Sequence, residues 1–127
     1  MSEATDQLMK RMLKKRLFVM LRKAEKPQQS PQYFEAHLTW MIAAEKRGEI
    51  FGSGPFVAQD IAPATPGSPA GSMTILRAES REAAIRIADT DPYVLSGTIS
   101  YEMKEWLVME GSITLKIHFS DGSYQFD

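Results

Sequence analysis

Between Arg16 and Lys23 the apolar side chains fall on both parities of an extended chain, Leu17, Val19 and Leu21 on one and Phe18 and Met20 on the other. Successive strand residues point to opposite faces, so this pattern predicts a strand covered on both sides. The period then changes. Ser30 followed by Pro31 reads as an N-cap hydroxyl with proline at the first helical position, which predicts a helix running to about Arg47 and ended by Gly48. On a helical wheel Phe34, Leu38, Met41 and Ile42 form its core stripe, and His37, Ala44, Tyr33 and Trp40 widen the same arc to one side. The arc is broader than packing on one sheet requires. His37 lies on its flank, between the Phe34/Met41 stripe and the Tyr33/Trp40 pair, a position suited to facing a cavity rather than bulk water.

Glu49 to Val57 reads as a second strand. Within it Gly52-Ser53-Gly54-Pro55-Phe56 interrupts regular pairing and predicts a bulge or sharp bend where the backbone can be approached closely. Residues 58–71 hold Pro63, Pro66, Gly67 and Pro69 and few large apolar groups, the composition of an exposed loop, either a lid or an insertion. Ser72 to Ala78 reads as a third strand. Ser80 caps a second helix from Arg81 to about Asp89, and Thr90-Asp91-Pro92-Tyr93 must leave it, because a residue before proline avoids the helical region. A long strand follows over Thr98 to Met109, with Ile99, Tyr101, Met103, Leu107 and Met109 on one face. Glu110-Gly111-Ser112 is expected to turn this strand into the next, on which Ile113, Leu115, Ile117 and Phe119 alternate, and Asp121-Gly122 is a further hairpin signal.

The order β-α-β-β-α-β is that of a ferredoxin-like α+β fold, an antiparallel sheet with both helices on one face, here with a C-terminal β-hairpin extension. That arrangement leaves the other sheet face apolar and bare. A homodimer packing sheet against sheet, a dimeric α+β barrel, would cover it. Residues 1–15, where Leu8, Met9, Met12 and Leu13 recur at helical spacing among basic residues, are expected to be a leader, either a short amphipathic helix or disordered; residues 16–127 form a single domain.

Composition narrows the partners. With 43% apolar and 24% charged residues and a net charge of -1, the 127-residue chain is ordinary globular material and offers no field for nucleic acid or anionic lipid. No cysteine is present, so disulfides and thiolate chemistry are excluded. No apolar run approaches the roughly 20 residues of a membrane span, and no signal-peptide pattern occurs, so no membrane partner and a cytoplasmic location are expected. The two histidines lie far apart and in no metal-binding helical pair, and no phosphate-cradling glycine motif occurs, so no metal and no cofactor are expected.

Three motifs stand in order: Glu35-Ala36-His37-Leu38 in the first helix, Gly52-Ser53-Gly54-Pro55-Phe56 in the second strand, and Ala88-Asp89-Thr90-Asp91-Pro92-Tyr93 after the second helix. In this order and spacing the chain resembles the YCII-related (YciI-like) proteins over roughly residues 16 to 109. The resemblance implies a dimeric α+β barrel, a His/Asp active site that falls on His37 and Asp91, and lyase or isomerase chemistry. Family members of assigned activity remove a leaving group from small cyclic or aromatic compounds, and the fold is similar to that of muconolactone isomerases.

The residue types suit such chemistry. Histidine titrates near neutrality and serves as a general base without large perturbation, while a carboxylate on its other nitrogen fixes the tautomer and stabilises the imidazolium. The alternative is that His37 makes a core contact and Asp91 caps the turn before Pro92. Ser53, Gly54 and Pro55 make up the expected substrate-binding bend, with the Ser53 hydroxyl and the Gly54 N–H as donors to an oxyanion; bending the strand is the competing role. Tyr93, Trp40 and Trp106 are candidates for an aromatic wall or for core. Two functions follow: a cofactor-free enzyme acting on a small-molecule ligand through a His/Asp pair, or a non-catalytic ligand-binding or interaction module.

Overall fold

The structure, a computed structural model, describes residues 1–57 and 70–126; the expected loop at 58–71 lies almost wholly outside them. The chain divides into two compact units, residues 16–106 and residues 1–15 with 107–127.

The larger unit is built on a four-stranded antiparallel sheet in the order β2-β3-β1-β4, with β1 Lys15–Ala24, β2 Ile50–Pro55, β3 Ser72–Leu76 and β4 Ile99–Val108. That is the ferredoxin-like order. Helices α2 (Ser30–Lys46) and α3 (Arg81–Ala88) connect the strands, and a one-turn α4 (Pro92–Leu95) precedes β4. One core fills the helical side of the sheet, where Phe18, Met20, Leu76, Ile99 and Met103 meet Ala44 of α2 and Ala84 and Ala88 of α3. Alanines at these contacts let both helices lie close to the strands. Val19 and Leu21 alternate to the other face and are half-buried.

Two devices set the site's geometry. Register along β2 shifts between Ile50, opposite Leu76, and Gly52, opposite Ile75, so Phe51 is the extra residue of a bulge. Without it Ser53 would point away from the helices; with it Ser53 stands opposite Thr74. The bend expected from the glycine-rich motif is therefore present, at the start of the strand. Ser80 caps α3 as expected, its hydroxyl accepting from the Ala83 N–H at 3.1 Å.

Two expectations for α2 are corrected. Ser30 is not its cap: a 3-10 turn over Pro27–Gln29 leads directly into the helix, Gln29 occupies the cap position, and the buried Ser30 hydroxyl has no hydrogen-bond partner among the described residues. Leu38 and Ile42 are not core, being 42% and 51% exposed. The helix is rotated so that Tyr33, Phe34, Met41 and Ala44 pack on the core, which moves His37 from the flank to the middle of the inward arc.

In the smaller unit, α1 (Glu3–Lys10) is capped by Ser2, whose hydroxyl accepts from the Thr5 N–H, so the leader is helical. β5 (Leu115–Ile117) pairs with β6 (Tyr124–Phe126), turned by Asp121-Gly122 with Gly122 at φ +72°. The expected turn at Glu110-Gly111-Ser112 does not join β4 to β5 in one ladder, because β5 belongs to this separate two-stranded sheet. The Asp-Gly turn supplies the left-handed position a tight hairpin needs, so it, rather than Gly111, sets the pairing.

Candidate active site

The site grows from one inward-facing charge. Arg22 shares the β1 parity of Phe18 and Met20, so its side chain enters the helical side of the sheet, where it is only 4% exposed. A buried guanidinium requires an anion and acceptors for its fork of N–H groups. Asp91, wholly buried, supplies the first: Arg22 Nη1 donates to Asp91 Oδ2. Thr74, on the neighbouring strand, supplies the second, accepting from Arg22 Nε at 3.1 Å. Above this pair Trp40 places its ring 5.9 Å from the guanidinium carbon, within cation–π range, and Met41 Sδ lies 3.8 Å from Nη2.

Asp91 is held by its position between α3 and α4. It caps α4, Oδ1 accepting from the Tyr93 N–H at 3.0 Å, and the same oxygen lies 2.9 Å from His37 Nδ1. The capping role and the histidine contact, alternatives in the sequence, are both present in one carboxylate. Burial alone would raise the Asp91 carboxyl. The hydrogen bond to His37, the charges of Arg22 and His37 and the Tyr93 N–H outweigh it and hold the group below its ordinary value. Asp91 is thus an ionised acceptor at neutral pH, and His37 Nδ1 must carry the hydrogen it donates. In the neutral ring Nε2 is left as the basic lone pair.

His37 is 13% exposed at its side chain, so most of the ring is fixed by neighbours while an edge remains reachable. Tyr93 stacks on it at 4.2 Å between centroids and 13° between planes. Trp40 lies further off, at 6.4 Å and 21°. Tyr93 is buried and its hydroxyl donates to the Ser30 carbonyl at 3.2 Å, which makes it the support behind the imidazole. Trp40 is half-buried and anchored by its Nε1–H donating to Thr90 Oγ1 at 2.8 Å.

Of the other expected residues, Ser53 joins the network through a 2.8 Å contact with Thr74 Oγ1. Pro55 lies on the same parity and Gly54 on the opposite one, facing Met73; both are exposed. Trp106 alternates away from Ile99, Tyr101 and Met103 and is exposed, so it is not brought to His37. Arg22 and Thr74 were not found from the sequence. The available signal was a cation on the inward parity of an apolar strand, Phe18-Met20-Arg22.

A model of the YCII-related domain matches residues 16–107, a stretch that contains the whole of this network. The chain belongs to the YCII-related family. Among solved structures, this YCII-related chain is similar to 5-chloro-2-hydroxyhydroquinone dehydrochlorinase (TftG) from Burkholderia phenoliruptrix AC1100, determined in complex with 2,5-dihydroxybenzoquinone. The TM-score is 0.58 and identity 22%, over 71% of this chain and 92% of that one, a likeness of fold. No curated protein matches the chain. Among the described residues no helix is long and apolar enough to cross a membrane.

Proposed function

We propose that this protein is a cofactor-free enzyme of lyase or isomerase type that acts on a small cyclic or aromatic metabolite, with His37 as general base and Asp91 as its orienting partner. One observation carries the reading: a buried, ionised Asp91 meets Nδ1 of a partly exposed His37 at 2.9 Å. That arrangement leaves Nε2 as the nitrogen available for proton transfer. The base would take a proton from a ring hydroxyl or from a carbon beside a carbonyl, and a leaving group would depart with its bonding electrons; the imidazolium so formed is stabilised by Asp91. Trp40 beside the ring offers a flat apolar wall, and Ser53 and Pro55 border the substrate on the edge strand, whereas Gly54 turns to the other face. The family membership and the fold shared with a dehydrochlorinase support a flat oxygenated ring as the substrate class.

The same reading includes a homodimer through the sheet face opposite the helices. Val19, Leu21 and Met73 lie on that face, and an apolar depression of about 320 Å³ is lined by Met73, Ile75 and the edge strand from Phe51 to Phe56, the backbone bend at Ser53 and Pro55 included. None of His37, Asp91 and Arg22 reaches it.

The test is release of chloride from 5-chloro-2-hydroxyhydroquinone and from a panel of halogenated hydroquinones. The expected result is turnover by the wild type and a fall of about 10²–10⁴-fold in His37→Ala and Asp91→Asn. Turnover unaffected by either substitution would refute the assignment. Saturable binding of the panel without turnover would favour the non-catalytic ligand-binding module.

A further inference from the structure

The bond count around Thr74 has a direction. Thr74 Oγ1 accepts from Arg22 Nε at 3.1 Å, and Thr74 is fully buried, so its single hydroxyl hydrogen cannot turn to water. Among the described residues Ser53 Oγ, 2.8 Å away, is the acceptor within reach. Thr74 therefore donates to Ser53, and the hydrogen of Ser53 is directed outward; Ser53 itself is exposed. The sequence Arg22 Nε–H, Thr74 O–H, Ser53 O–H is a line of donors pointing the same way, starting on a buried guanidinium and ending at the surface. Each bond polarises the next, and the low dielectric around Arg22 strengthens the effect. The Phe51 bulge is what turns Ser53 to this side of the sheet, the side from which His37 also approaches.

We infer that the Ser53 hydroxyl is a donor polarised by Arg22 through Thr74, and that it selects ligands bearing one deprotonated ring oxygen, a phenolate or enolate. A terminal donor fed by a cation favours an oxyanion over a neutral hydroxyl, as charge-assisted hydrogen bonds are about twice as strong as neutral ones. A single hydroxyl serves a single oxygen, unlike the fork of an exposed arginine, which would take a carboxylate on two bonds. Arg22 is committed to Asp91 and Thr74 and acts here through Thr74, a positioning residue. The inference rests on the general-base reading of the site and adds its electrophilic end: the base at one terminus of the network, the oxyanion donor at the other.

The experiment is a binding titration with 4-nitrophenol, whose phenol and phenolate forms absorb differently in the visible, so the spectrum reports which form is bound. The wild type is expected to bind the phenolate in preference. Ser53→Ala and Thr74→Val should each weaken phenolate binding about tenfold or more, with little change for the phenol. Thr74→Ser should restore it, and Thr74→Val should have no further effect in the Ser53→Ala background, since a relay is non-additive where independent contacts add. Ser53 is on the surface, so its variant tests the idea even if Thr74→Val folds poorly. Binding of phenolate by both variants at the wild-type level, or no preference for phenolate in the wild type, overturns the inference. The general-base reading fails separately, through turnover that survives loss of His37.

Discussion

A guanidinium shut away from water is tolerable only while its anion stays ionised, and this ties Arg22 and Asp91 into one unit. Substituting Arg22→Met leaves Asp91 buried without its counter-charge, and the expected cost is about 3–5 kcal/mol at neutral pH. The pH dependence follows from the direction of the Asp91 shift. Because the folded chain holds this carboxyl below its ordinary value, the unfolded chain binds more protons in the window between the two, and stability rises with pH there. Acidification below about pH 4 should therefore remove stability from the wild type, and the gap between it and Asp91→Asn should close. Chemical denaturation at a series of pH values measures both; a gap constant down to about pH 2 would mean that Asp91 is not held ionised by the fold. At this scale the sequence was partly legible. His37 and Asp91 stood in recognisable motifs, whereas Arg22 stood in none, and its importance depends on Thr74, 52 residues away, and on Asp91, 69 residues away.

Elements place these groups by turning or displacing single residues. The bulge at Phe51 is one such device, and Gly71 is another. Gly71 sits at φ +81° just before β3, its carbonyl accepts from the Phe56 N–H at 2.8 Å, and a Cβ there would lie 2.7 Å from the Arg22 carbonyl oxygen. Gly71→Ala is expected to cost at least about 1–2 kcal/mol for the left-handed backbone alone, and to displace β1 at Arg22. Thermal unfolding reads the first effect and ring-proton shifts of His37 the second; a variant with wild-type stability and unchanged shifts would contradict the assigned contact. The strand and helix order could be read from periodicity because apolar alternation and capping are local. The rotation of α2 could not. A wheel centred on the largest apolar residues put Leu38 and Ile42 inward, but the buried Arg22–Asp91 pair draws His37 to the centre of the arc, and the small Ser30 and Ala44 make room on the same side. Ser30 misled for a similar reason: a serine before proline reads as a cap, yet the preceding 3-10 turn carries the chain into the helix one step earlier.

For the whole molecule, the proposed dimer face and the His37–Asp91–Arg22 cluster occupy opposite sides of one sheet, so they should respond to different substitutions. Leu21→Glu on the open face is expected to shift the chain from dimer to monomer in sedimentation velocity while leaving the tautomer of His37 in place. A wild type that sediments as a monomer would contradict the dimer. The hairpin of β5 and β6 was legible from Asp121-Gly122, but its separation from β4 was not, because alternation along Ile113 to Phe119 is the same whichever strand it pairs with. The family match ends at residue 107, close to the boundary of the larger unit at Trp106. The proposed chemistry accordingly draws only on residues inside the matched region.

The most direct test of the His/Asp assignment is the tautomer of His37, read from long-range proton–nitrogen correlations of its ring at about pH 9, where an imidazole is neutral. Asp91 as an ionised acceptor requires hydrogen on Nδ1 and a bare Nε2 in the wild type, and a loss of that preference in Asp91→Asn. Hydrogen on Nε2 in the wild type, or the same tautomer populations in both proteins, would mean that Asp91 does not orient the base.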